Sequence, residues 1–199
     1  MTLISYSDLQ TQVANWLARD DLNSYIPDFI TLFECAAARR MKVRLQETVV
    51  TLATTNGVGI LPSDYLGYRD VTWNGTISIP LSYVTPPIFE YEWPNNDTGD
   101  PVIFTIQGGS IKIKPLDDSG LTFNYFQKPA ALSGTLNWLW TNYPDAYLFG
   151  TLAEANAFNQ AVDPAGLWKV RRDEVFDEIQ RVDFNERQGM AIRLIGVTP

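Results

Sequence analysis

Apolar positions recur at helical spacing at both ends of this chain and alternate at strand spacing between them, so the period of the pattern changes twice. Ser7 and Gln10 have the spacing of a capping box. Leu9, Val13, Trp16 and Leu17 then share one helical face, which predicts a first helix ending near Asp20. Pro27 suits the first turn of a second helix, with Ile26, Phe29, Ile30, Phe33, Ala37 and Met41 as its buried stripe and Arg39, Arg40, Lys42 and Arg44 as basic last turns. From Thr48 onward β-branched residues crowd together, and Gly57, Gly59 and Pro62 punctuate the chain. Asn74-Gly75 predicts a tight hairpin turn, as does Gly108-Gly109. After the second turn Ile111 and Ile113 alternate with Lys112 and Lys114, which predicts one buried face and one wet one. LTFNYFQK adds a strand, and PPIFEYEWPNNDTGDP reads as a loop with at most a short helical turn.

The helical period returns at Pro144 and Asp145, which start a helix with Leu148, Phe149, Leu152, Ala155 and Phe158 facing inward. Asp163-Pro164 breaks it and begins a fourth, with Trp168, Val175, Phe176, Ile179 and Val182 as its stripe and Gly189 placed to close it. The charged residues that cover the rest of this helix suit side-by-side pairing with a neighbouring subunit. The expected architecture is therefore α+β: a four-helix bundle from residues 1–50 and 132–186, an inserted β-rich lobe at 51–131, and an extended C-terminal arm at 187–199. The arm's MAIRLIGVTP has apolar anchors but no strand partner that the pattern assigns.

Composition narrows the chemistry more than it identifies it. The chain has no histidine, which removes Ser-His, Cys-His and His-metal mechanisms, and Cys35 is its only cysteine. The formal charge of -8 divides as -1 over residues 1–50, -4 over 51–131 and -3 over 132–199, so no segment is basic enough to grip a phosphate backbone. No apolar run approaches the ~18–20 residues of a membrane span, and MTLISYSDLQ lacks the order of a secretory signal, so a cytosolic origin is expected.

The remaining candidates are weak as catalytic signals. Glu90, Glu92, Asp97 and Asp100 suggest a glycosidase pair or a calcium site, but their spacing fits no calcium loop, and acids in a proline-rich loop are usually solvated. Phe89, Tyr91 and Trp93 crowd the same segment, which points instead to an edge that meets another subunit. Trp138 and Trp140 would share one side of an extended segment, as in a sugar-binding platform; core packing is the better reading. The basic cluster from Arg39 to Arg44 could touch DNA, yet a helix dipole favours such an ending by itself. No catalytic, cofactor-binding or metal-ligating residue is assigned; a carbohydrate-binding module and a carboxylate-dependent hydrolase are the alternative readings.

Three strings point more sharply. WLARDDLNSYIPDFITLFE, LPSDYLGYRDV and LNWLWTNYPDAYLFGTLAEA, in that order, resemble the phage adaptor proteins that join the portal to the tail. More distantly the layout is similar to head-tail connectors such as the tail tubular protein A of T7-like phages. The resemblance implies a virion structural protein, assembled in the host cytoplasm, that forms a homo-oligomeric ring of twelve copies under the portal protein. It implies a platform for the tail nozzle or tail tube protein and a channel through which DNA passes without specific binding, with no membrane and no cofactor. It also assigns the arm to the portal, through Met190, Ile192, Arg193, Leu194 and Ile195; thirteen extended residues span ~45 Å.

Overall fold

The computed structural model describes residues 3–19 and 21–188. They divide into two units, one built from the chain up to Leu45 and from Pro129 onward, the other from Gln46 to Lys128.

The first unit is helical. Its helices are α1 (Tyr6–Leu17), α2 (Ile26–Arg40), a short α4 (Trp138–Asn142), α5 (Pro144–Phe158) and α6 (Val162–Gln188). The N-cap of α1 is Ser5, not Ser7. The Ser5 hydroxyl accepts from the Asp8 amide at 3.1 Å, and the Asp8 carboxylate accepts from the Ser5 amide at 3.0 Å. The box thus closes two residues earlier than the Ser7–Gln10 spacing suggested, because aspartate three residues on returns the hydrogen bond as well as a longer side chain does. Every residue of the expected α2 stripe is buried. Helix α5 is buried almost all round and packs against α1, α2, α4 and α6. Gly150 allows the close approach of α2, since a Cβ there would stand 2.0 Å from the Phe33 ring. The expected count of four helices is corrected accordingly: six lie among the described residues, five of them in this unit. They surround a central helix instead of sharing one seam as equivalent amphipathic partners. Phe158 and Val182, expected inside, are 56% and 40% exposed; Phe158 packs against Tyr25 and Phe29 at the surface.

The second unit holds two four-stranded sheets. In the first, β1 (Glu47–Leu52), β8 (Leu121–Gln127), β3 (Tyr65–Asn74) and β4 (Ser78–Pro80) are antiparallel in that order. In the second, the order is β2 (Val58–Ile60), β7 (Ser110–Lys114), β6 (Ile103–Gln107) and β5 (Ser82–Tyr83), with β5 parallel to β6. Leu121, Phe123 and Tyr125 alternate along β8 with half-buried neighbours and join Leu52, Val71, Trp73, Phe104, Ile111 and Ile113 in one core shared by both sheets. Gln107 pairs with Ser110, leaving Gly108 and Gly109, both at positive φ, as the two-residue turn expected there. Between β3 and β4, by contrast, Asn74 pairs with Ser78, so the connection is a three-residue loop. The segment expected to be mainly loop carries a seven-residue helix, α3 (Pro86–Glu92), opened by Pro86 and Pro87, whose ring-fixed φ suits a first turn.

Candidate interaction surface

Helix α3 divides the three aromatic residues proposed for an interface. Phe89 points inward and is 1% exposed, so it supports the helix from beneath. Tyr91 is 85% exposed, Ile88 one turn earlier is also outward, and Trp93 is half-buried as the C-cap. Beneath them lies Lys114, which the alternation along β7 had placed on a wet face and which is instead 5% exposed. Its ammonium donates to Glu90 Oε2 at 3.1 Å and to the Trp93 carbonyl, and stands 4.9 Å from the centre of the Phe89 ring. A buried ammonium is tolerated only when it is paired in this way, and the Trp93 carbonyl is one of the acceptors a helix end leaves open. Lys114 therefore pins α3 to the sheet and fixes where Tyr91 stands. Of the acids weighed as a catalytic pair, Glu90 is engaged in this contact, and among the described residues no group of three or more Asp, Glu or Cys is placed to hold a metal ion.

The basic end of α2 is largely spoken for within the subunit. Arg40 pairs with Asp173 and, at 3.1 Å, with Asp177, while its guanidinium lies 5.3 Å from the centre of the Phe176 ring. Arg44 pairs with Glu186 and lies 3.7 Å from Asp183, whose carboxylate also accepts the Arg44 amide at 2.8 Å. The four acids fall in two neighbouring pairs along α6, Asp173 and Asp177 beside Arg40 and Asp183 and Glu186 beside Arg44. Within the subunit they close the end of α2 against α6.

A third cluster ties the returning chain to the helices. The Asn137 amide donates to the Ala130 carbonyl at 2.7 Å and to the Tyr147 oxygen at 2.6 Å, and the Tyr147 hydroxyl donates to Glu34 at 3.2 Å. Glu34 also accepts the Leu132 amide at 2.7 Å. Burial, followed by the nearby Glu34 charge, pushes the Tyr147 phenol well above its ordinary range, so it remains a donor. The Asn137 side-chain Oδ1 caps α4 by accepting the Trp140 amide at 2.9 Å. Trp138 and Trp140 consequently stand on a helical turn, not an extended strand; Trp140 is buried and both join the core, which removes the sugar platform.

Nothing in sequence periodicity could reveal the Lys114 and Arg40 contacts, whose partners lie 21 to 137 residues away. The portal-binding residues assigned by resemblance, Met190, Ile192, Arg193, Leu194 and Ile195, and the Gly189 cap lie outside the described residues. No helix among the described residues is long and apolar enough to cross a membrane. No curated protein matches the chain. The family model described as SU10 adaptor protein matches residues 4–193. That match supports a phage adaptor and says nothing for the more distant likeness to tail tubular protein A. Running through both units, it places the protein: the chain belongs to the SU10 adaptor family of phage structural proteins.

Proposed function

We propose that this adaptor is the head-to-tail joint of its virion, a homo-oligomeric ring of twelve copies between the portal and the tail nozzle or tail tube, through which DNA leaves. The observation that carries the reading is the adaptor-family match over residues 4–193. Two features of the described residues accord with it. The sites with the most chemical promise, around Glu90 and around Trp138, are engaged in holding the fold. The net charge of -8, with Arg40 and Arg44 tied to α6, suits a bore that DNA slides past without being held. In this reading the protein acts by shape and contact, without catalysis, and assembles in the host cytoplasm.

Residues 187–199 serve as the portal-binding arm, through Met190, Ile192, Arg193, Leu194 and Ile195. Tyr91 and the exposed part of Trp93, carried on Phe89, serve as a contact to a neighbouring subunit or to the tail. The test is a pull-down on portal rings with full-length protein and with a chain ending at Gly189. The truncated protein should keep its circular dichroism and lose portal retention; retention at full-length strength would refute the arm assignment. Electron microscopy of full-length protein mixed with portal should show an added ring, and its absence would refute the adaptor-ring reading as a whole.

A further inference from the structure

The acidic α3 segment has a counterpart of opposite character on the same chain. From Arg69 to Lys112 there is no basic residue, and the stretch carries Glu90, Glu92, Asp97 and Asp100 around the outward Tyr91. Glu90 answers Lys114, whereas Glu92, Asp97 and Asp100 have no cation among the described residues. In the helical unit a cavity of about 430 Å³ opens among α2, α5 and α6. Ala36, Ala153, Ala157 and the Glu154–Arg172 ion pair line it, and Arg39 and Lys169 add two further positive charges. Both cations are exposed and have no ion pair among the described residues, unlike Arg40 and Arg172 beside them.

We propose that Tyr91 of one subunit seats in the Arg39–Lys169 cavity of the next, with Glu92 paired to the cations at its edge. Its volume of about 430 Å³ has room for one aromatic ring, and the short alanine side chains leave apolar surface for that ring to cover. Lys114 presets the knob, so little ordering is needed on contact. The two surfaces differ, so the contact is heterologous and repeats around a closing rotation instead of ending at a dimer. Charge complementarity selects a second copy as the occupant: the acids left without partners in one unit match the cations left without partners in the other. This rests on the ring reading above and adds to it the surfaces that meet.

A cross-link tests it. Because Cys35 is the only native cysteine, Glu92→Cys with Lys169→Cys in a Cys35→Ser chain places one thiol on each surface while keeping Tyr91. Assembled on portal rings and spanned by a short bismaleimide, this protein should give a ladder of covalent multimers on a denaturing gel. Each single-cysteine variant should give none beyond dimer. Tyr91→Ala should weaken assembly about 30-fold, the loss expected of an interface hot spot, and Lys169→Glu should be rescued by Glu92→Arg. Rings that form without the ladder, or cross-linking confined to single chains, would overturn this inference and leave the adaptor reading standing. Failure of the unmodified protein to form rings on the portal would overturn both.

Discussion

Replacing Gly150 with alanine should weaken the helical unit, against the usual benefit of that substitution inside a helix. On propensity alone the change stabilises a helix interior by about 1 kcal/mol. Here the new Cβ would stand 2.0 Å from Phe33 Cδ2 and 2.3 Å from Cε2, whereas carbon atoms pack at ~3.5–4.0 Å. Something must yield by roughly 1.5 Å. Phe33 is fully buried, edge-on to Tyr147 at 4.9 Å and stacked on Phe176 at 6.0 Å, so its ring has no empty side to turn toward. Overpacking of this kind costs about 1–3 kcal/mol, and a clash this close belongs at the upper end, leaving a net loss of about 2 kcal/mol after the propensity gain. Urea unfolding followed by far-ultraviolet circular dichroism reports it, because the other unit contributes only α3 to the helical signal. In a Phe33→Leu background, where the ring edge is gone, Gly150→Ala should be neutral or stabilising. Gly150→Ala equal to or more stable than the parent with Phe33 intact would refute the proposed packing.

Phe176→Asp or Ile179→Asp should unfold the helical unit. Each removes a side chain no more than 2% exposed and buries a carboxylate, a loss of order 4 kcal/mol or more against a total of about 5–15; thermal melts would show it, and a native-like melting curve would contradict the core assignment. Lys114→Met should leave the sheets folded but free α3, seen as faster amide exchange at Phe89 and new protease cuts near Trp93, whereas Glu90→Gln should do much less because the Glu90 side chain is 63% exposed. Stability should fall at high pH. Burial raises the Tyr147 phenol and holds Tyr125, beside Asp64, at about 12, so each contributes fully below the ordinary tyrosine value of 10.0 and loses its contribution as pH climbs past it. Tyr147→Phe should flatten that decline for the helical unit, and an unchanged alkaline slope would count against the Asn137–Tyr147–Glu34 cluster.

Periodicity read the α2 stripe residue by residue, because a helix with one side in water and the other on the core buries a single face. It misread Phe158 at the end of α5, where a helix surrounded by others has no wet face to contrast with a dry one and the pattern loses its phase. The β7 alternation was right for Ile111 and Ile113 and wrong for Lys114, since a lysine is polar in sequence whether water or a helix covers it. The proline pair at 86–87 was legible as punctuation, but that it starts a helix depended on Phe89 finding a pocket elsewhere in the fold. The adaptor resemblance was legible because three strings keep their order. The groove edged by Arg39 and Lys169 was not, because α2 builds it together with the α5–α6 pair, which lies far from it in sequence.

Glu47 stands directly across from Phe126, so the strands that lead into and out of the lobe are hydrogen-bonded neighbours. A module whose two ends meet in this way makes only a small demand on the chain that hosts it: a pair of adjacent attachment points. Nature, or a protein engineer, can therefore trade one such graft for another of different sequence and size by rejoining two nearby backbone positions. The lobe can diversify at this junction while the helical scaffold stays unchanged.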